Sequence, residues 1–178
     1  MKVDNLKGRV AEALVESILR QAGYTVSRLG RESQVQRLMK VGADDFAPDF
    51  LVWKRAKRAT CASESDLHQL LTVEVKYRAN LAGFLRRQEA AELLAKAKVQ
   101  WPGLYLVIVT DDPADGRSCF QAVCVRDHVP GNGCITVDLS QLPAFDISCA
   151  TVQAHEGIAR ALFATLRFAG RDTRCASA

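Results

Sequence analysis

The chain is predicted to fold as an α/β protein, a central mixed sheet flanked by helices. Three observations carry this. Apolar residues recur at helical spacing from residue 5 to 22 and again from 84 to 100. Residues 70–78 alternate in polarity as a half-buried strand does. Leu104-Tyr105-Leu106-Val107-Ile108-Val109 is unbroken apolar sequence, the pattern of a strand covered on both faces.

In chain order, Val10, Ala11, Leu14, Val15, Ile18, Leu19 and Ala22 form the stripe of a first helix, and Gly23 stands where a helix C-terminal glycine belongs. Tyr24 to Leu29 reads as a short strand. The stretch from Gly30 to Ala47 reads as a long irregular loop, a kind of segment that often carries function in a small domain. Asp49 to Trp53 and Leu70 to Arg78 read as two strands joined by a polar hairpin loop over residues 54–68, basic at its start. Phe84 to Gln100 reads as one helix stopped by Pro102-Gly103. Strand, helix, strand then implies a right-handed crossover to a parallel partner. Cys119 to Arg126 reads as a further strand, Pro130 to Gly133 as a turn, and Val152 to Phe168 as a final helix.

With 178 residues, 48% of them hydrophobic and 25% charged, the chain is expected to be a single domain with a substantial core. Neither a signal peptide nor a membrane-spanning apolar run is found, so the expectation is a cytoplasmic protein without a membrane partner. The six cysteines have no zinc-binding spacing and are expected to be free thiols, mostly buried. The histidines stand apart from one another, and no P-loop or dinucleotide glycine pattern is present. The net charge of +4 is concentrated in the first third, where residues 1–58 carry 12 Lys/Arg against 7 Asp/Glu. Such an excess suits a polyanionic substrate as well as a solvated basic surface.

The most informative residues are Asp49, in Pro48-Asp49-Phe50, and Glu74-Val75-Lys76. On an alternating strand Glu74 and Lys76 share a face, with Thr72 and Arg78, while Leu71, Val73, Val75 and Tyr77 share the other. A hairpin pairing the two strands brings Asp49 alongside Glu74, where one divalent ion could bridge both carboxylates. Taken singly, Glu-x-Lys on a strand is as a rule a solvated ion pair and Pro-Asp a turn signal. Their order, each on an element from which it can converge, sets them apart.

This order of helix, three strands, helix and strand, with an acid opening the second strand and Glu-x-Lys on the third, resembles the core of the PD-(D/E)xK nuclease superfamily. Gly8-Arg9-Val10-Ala11-Glu12 is similar to the Gly-x-x-x-Glu pattern of its resolvase-like members, and Gly23-Tyr24 closes the helix in the same manner. The resemblance covers residues 5–110. Residues 111–178 then stand as a C-terminal strand and helix elaboration.

The resemblance implies a restriction-endonuclease-like αβββαβ core and a Mg²⁺-dependent endonuclease acting on DNA, with Mn²⁺ as a substitute. Mg²⁺ held by Asp49 and Glu74 would neutralise phosphodiester charge and acidify a bound water. By the same resemblance the Val75 carbonyl adds a metal ligand and Glu12 completes the metal shell or holds its water. Lys76 orients the attacking water or stabilises developing charge, and Gln88 on the following helix lies near the site. A homodimer would suit a small nuclease cutting two strands. The alternative, from another class, is a non-catalytic nucleic-acid-binding or assembly subunit of the same fold.

Overall fold

The stripe from Val10 to Leu19 winds into α1 (Val3–Gln21), burying Ala11, Leu14, Val15, Ile18 and Leu19. Gly23, at φ +86°, ends it: the Gly23 N–H donates to the Arg20 carbonyl at 3.0 Å and the Tyr24 N–H to that of Leu19 at 3.0 Å. Those two bonds satisfy carbonyls the helix leaves open, and they need a left-handed residue between them.

The computed structural model describes residues 3–29, 47–55, 68–128 and 134–175. After α1 come β1 (Thr25–Arg28), β2 (Phe50–Arg55), β3 (His68–Tyr77), α2 (Leu81–Leu85), α3 (Gln88–Gln100), β4 (Leu104–Val109), β5 (Phe120–Cys124), β6 (Val137–Asp138) and α4 (Cys149–Cys175). The strands form a six-stranded sheet in the order β1-β2-β3-β4-β5-β6. Neighbours run antiparallel except β3 and β4, which are parallel, as a helical crossover between them requires.

Each face of the sheet is covered. Val73, Val75 and Tyr77 of β3 pack with α1 and with Val152, Ala159 and Phe163 of α4. Leu104, Leu106 and Ile108 of β4 pack on the opposite face with Leu81, Phe84 and Leu94 of α2 and α3. β4 therefore lies between both cores and is buried along its length, which explains its unbroken apolar sequence. A polar clamp joins the layers on the α1 side. Buried Lys7 donates to the Tyr77 hydroxyl at 2.9 Å and pairs with Asp111 at 3.4 Å, and Arg167 of α4 pairs with Asp111 at 2.8 Å.

Several boundaries differ from the sequence expectation. The helix expected over 84–100 is two helices: Asn80 Oδ1 accepts the Gly83 N–H at 2.7 Å and starts α2 early, while extended Arg87 interrupts the path before α3. The strand expected to reach Arg126 ends at Cys124, and Val125–Asp127 is a single 3₁₀ turn. The last helix begins three residues earlier than expected and runs to Cys175. Of the four cysteines whose side chains are described, only Cys119 is buried and Cys149 is exposed, so the expectation of mostly buried thiols does not hold for them. The expected loop over residues 30–46, the hairpin loop over 56–67 and the turn at 130–133 lie outside the described residues. Among the described residues no helix is long and apolar enough to cross a membrane.

Candidate active site

β2 stops short of β3, and the site occupies the gap. The last register pair is Phe50 with Val73, so among the described residues β3 continues through Glu74, Val75 and Lys76 without a strand on that edge. Asp49 fills the vacant position. Its carboxylate Oδ2 accepts the Val75 N–H at 2.7 Å, while its own carbonyl accepts the Leu29 N–H at 2.8 Å. A strand residue directs its N–H and C=O to the same edge, so the Val75 carbonyl faces the edge that Asp49 occupies.

Glu74 and Lys76 leave β3 on one face, as the alternation requires, and Lys76 Nζ donates to Glu74 Oε1. Glu74 is only 3% exposed. Its second oxygen, Oε2, is buried and has no hydrogen-bond partner among the described residues. Burial, and then the charge of Asp49, push the Glu74 carboxyl up to about 8, against a smaller downward pull from Lys76. Two acids this close favour a shared proton, or a cation between them, over two bare carboxylates.

Glu12 approaches from α1. Its carboxyl is raised, first by burial and then by Asp49, while Arg28, Lys76 and Arg9 pull it down. Asp49 thus interacts electrostatically with both other acids. Even so, among the described residues no group of three or more His, Cys, Asp or Glu could hold a metal ion. The structure therefore does not close Glu12, Asp49 and Glu74 into one three-carboxylate cage. It does fit a more open arrangement: the Asp49 and Glu74 carboxylates with the Val75 carbonyl on the same edge, and Glu12 beyond them. Mg²⁺ commonly takes one or two carboxylates and leaves its other positions to water and substrate phosphate, so the residues present suit it.

Beside Lys76 lies an open cleft of about 580 Å³. Asn5, Gly8, Arg9 and Glu12 of α1 line one side and residues 75–79 the other. Val75 and Lys76 both line it although their side chains leave opposite faces, as a sheet edge allows. The sequence reading did not single out Asn5, Arg9 or Arg78 for a role. Asn5, Arg9 and Glu12 recur at helical spacing, and that periodicity applied to polar residues was the available signal. Gln88 is not brought to this cleft. It is the exposed first residue of α3, donates to Glu92 Oε1 at 2.7 Å, and lines a separate cleft with Arg87, His128 and Cys134. The break before α3 accounts for that placement.

The chain matches no family model, and no curated protein or solved structure matches it.

Proposed function

We propose that this protein is a metal-dependent endonuclease of the PD-(D/E)xK type with a restriction-endonuclease-like core, hydrolysing DNA phosphodiester bonds at Asp49, Glu74 and Lys76. One observation carries the reading: buried Glu74 stands beside Asp49 and in contact with Lys76, and its Oε2 meets no hydrogen-bond donor among the described residues. A purely structural ion pair would be expected to satisfy both oxygens or to face water. The sheet supports the reading as well, since α1, three antiparallel strands, a helical crossover and a parallel fourth strand follow in the expected order.

When bound at the two carboxylates, Mg²⁺ supplies charge neutralisation for the scissile phosphate and lowers the pKa of water. The residues divide the remaining work. Asp49 is fixed by its bond to the Val75 N–H and so presents its carboxylate in one orientation. Lys76 holds its ammonium at Glu74 Oε1, where it orients the attacking water and stabilises negative charge growing on the phosphoryl oxygens. Glu12, with its raised carboxyl, is positioned to hold a water at the edge of the cleft.

The test is nicking of supercoiled plasmid by the parent and by the Asp49→Asn and Lys76→Gln variants, in Mg²⁺ or Mn²⁺ and in EDTA. Metal-dependent nicking lost in both variants supports the reading. Nicking that survives in Asp49→Asn at the parent's rate would remove it. The absence of a three-ligand group among the described residues favours one competing reading, a non-catalytic nucleic-acid-binding subunit. That reading expects salt-sensitive DNA binding, indifferent to metal and to Asp49, without nicking.

A further inference from the structure

The cleft beside Lys76 contains a glycine that the fold itself does not require. Gly8 lies inside α1, where glycine is after proline the least favourable residue. Its φ is not positive, and among the described residues a Cβ built on it would meet nothing within 4 Å. Neither backbone conformation nor internal packing therefore accounts for glycine here. What the missing side chain leaves open is space directly over the helix backbone, inside the cleft.

The groups around that space are cationic and polar. Arg9 is exposed and makes no hydrogen bond or ion pair among the described residues, and Asn5 lies one turn earlier on the same helix face. Opposite them, the Arg78 guanidinium lies 4.3 Å from the centroid of the Phe84 ring. It also donates to the Tyr77 carbonyl at 2.9 Å and to the largely exposed Glu89 at 3.2 Å. Arg78 is thus held in place by these contacts. Arg9 with Asn5 on one side of the cleft and Arg78 on the other are donor types suited to the forked, multidentate recognition of a phosphate.

We infer that this cleft seats a phosphate of the nucleic-acid strand, adjoining the one attacked at Asp49 and Glu74, close over the Gly8 backbone with Arg9 and Arg78 as partners. This rests on the nuclease reading and adds a subsite to it. Glu12 and Lys76 border both places, so one strand running through the cleft reaches the acids without leaving the protein surface.

The experiment is fluorescence anisotropy of a short fluorescein-labelled DNA duplex in EDTA, with the plasmid assay in parallel. Gly8→Glu places a carboxylate in the cleft while replacing a poor helix former with a good one. It should weaken binding about tenfold or more without lowering Tm, because each lost phosphate contact also removes its counterion release. Gly8→Ala should fall between Gly8→Glu and the parent. Arg9→Gln, on the exposed face, should weaken binding and reduce the salt dependence by about one phosphate contact. Parent-like affinity in both Gly8→Glu and Arg9→Gln, with Asp49→Asn blocking nicking, overturns the subsite and leaves the nuclease reading intact. Affinity lost in both, in a parent that nicks no plasmid with Mg²⁺ or Mn²⁺, supports the phosphate seat and removes hydrolysis. A parent that binds neither the duplex nor its separated strands overturns both.

Discussion

The Val75 N–H donates to Asp49 Oδ2 at 2.7 Å, so an aspartate side chain takes the place of the strand that β2 fails to provide. The same bond directs the Asp49 carboxylate toward Glu74, whose pKa it raises. Fold and site are therefore coupled through one hydrogen bond.

Asp49→Ala leaves the Val75 N–H without its acceptor and should lower stability by about 1–2 kcal/mol in urea unfolding. Asp49→Asn keeps an oxygen for that N–H and should lose less, yet both variants should fail to nick plasmid. Equal stability losses in the two would show that the bond contributes nothing to folding.

Glu74 makes stability depend on pH. Folded Glu74 holds its proton up to about pH 8, whereas the unfolded carboxyl releases it near 4.5. Its contribution is therefore fully present below the lower value and is lost as pH rises toward the higher one. That loss is on the order of 4 kcal/mol. In EDTA, Glu74→Gln should melt above the parent at pH 8, with the gap narrowing as the pH falls to 5. A gap that stays constant over this range, measured by calorimetry, would contradict the raised Glu74 pKa.

Lys76 pulls the Glu74 pKa down by charge and by hydrogen bonding. Lys76→Met should therefore extend the pH-dependent loss of stability to higher pH, and should reduce nicking by about a hundredfold or more. A melting profile that follows the parent at every pH would mean that Lys76 does not engage Glu74 in solution.

Asp111 carries the polar clamp. Burial pushes its carboxyl up, but hydrogen bonds from Arg167 and Tyr77 and the charge of Lys7 more than offset this and leave it below its ordinary value. Asp111→Ala strands the buried Lys7 ammonium and should destabilise by about 3 kcal/mol. The parent should also lose this contribution as the pH falls through the Asp111 pKa. A loss below roughly 0.5 kcal/mol in urea unfolding, the range of an exposed pair, would show that the clamp is not closed.

The elements legible in the sequence are those whose burial follows one period. α1 shows a 3.6-residue stripe because one face meets the sheet, β3 alternates, and β4 is apolar throughout because helices cover both of its faces. The break between α2 and α3 was hidden, since apolar spacing runs on past Arg86 and Arg87 while the Asn80 cap and the extended Arg87 reset the path. In the site, Glu74 and Lys76 were legible from strand alternation, and Asp49 from the order of the elements. Arg9 and Arg78 were not, because a charged residue facing a cleft and one facing open solvent look alike in sequence.

In the proposed nuclease, Glu74 serves hydrolysis at the expense of stability. The most direct test measures, on one preparation of Glu74→Gln at pH 8, the Tm in EDTA and the plasmid nicking rate in Mg²⁺. The variant should melt above the parent and fail to nick, beside a parent that nicks. A variant that nicks at the parent's rate, or a parent that never nicks, would contradict this role.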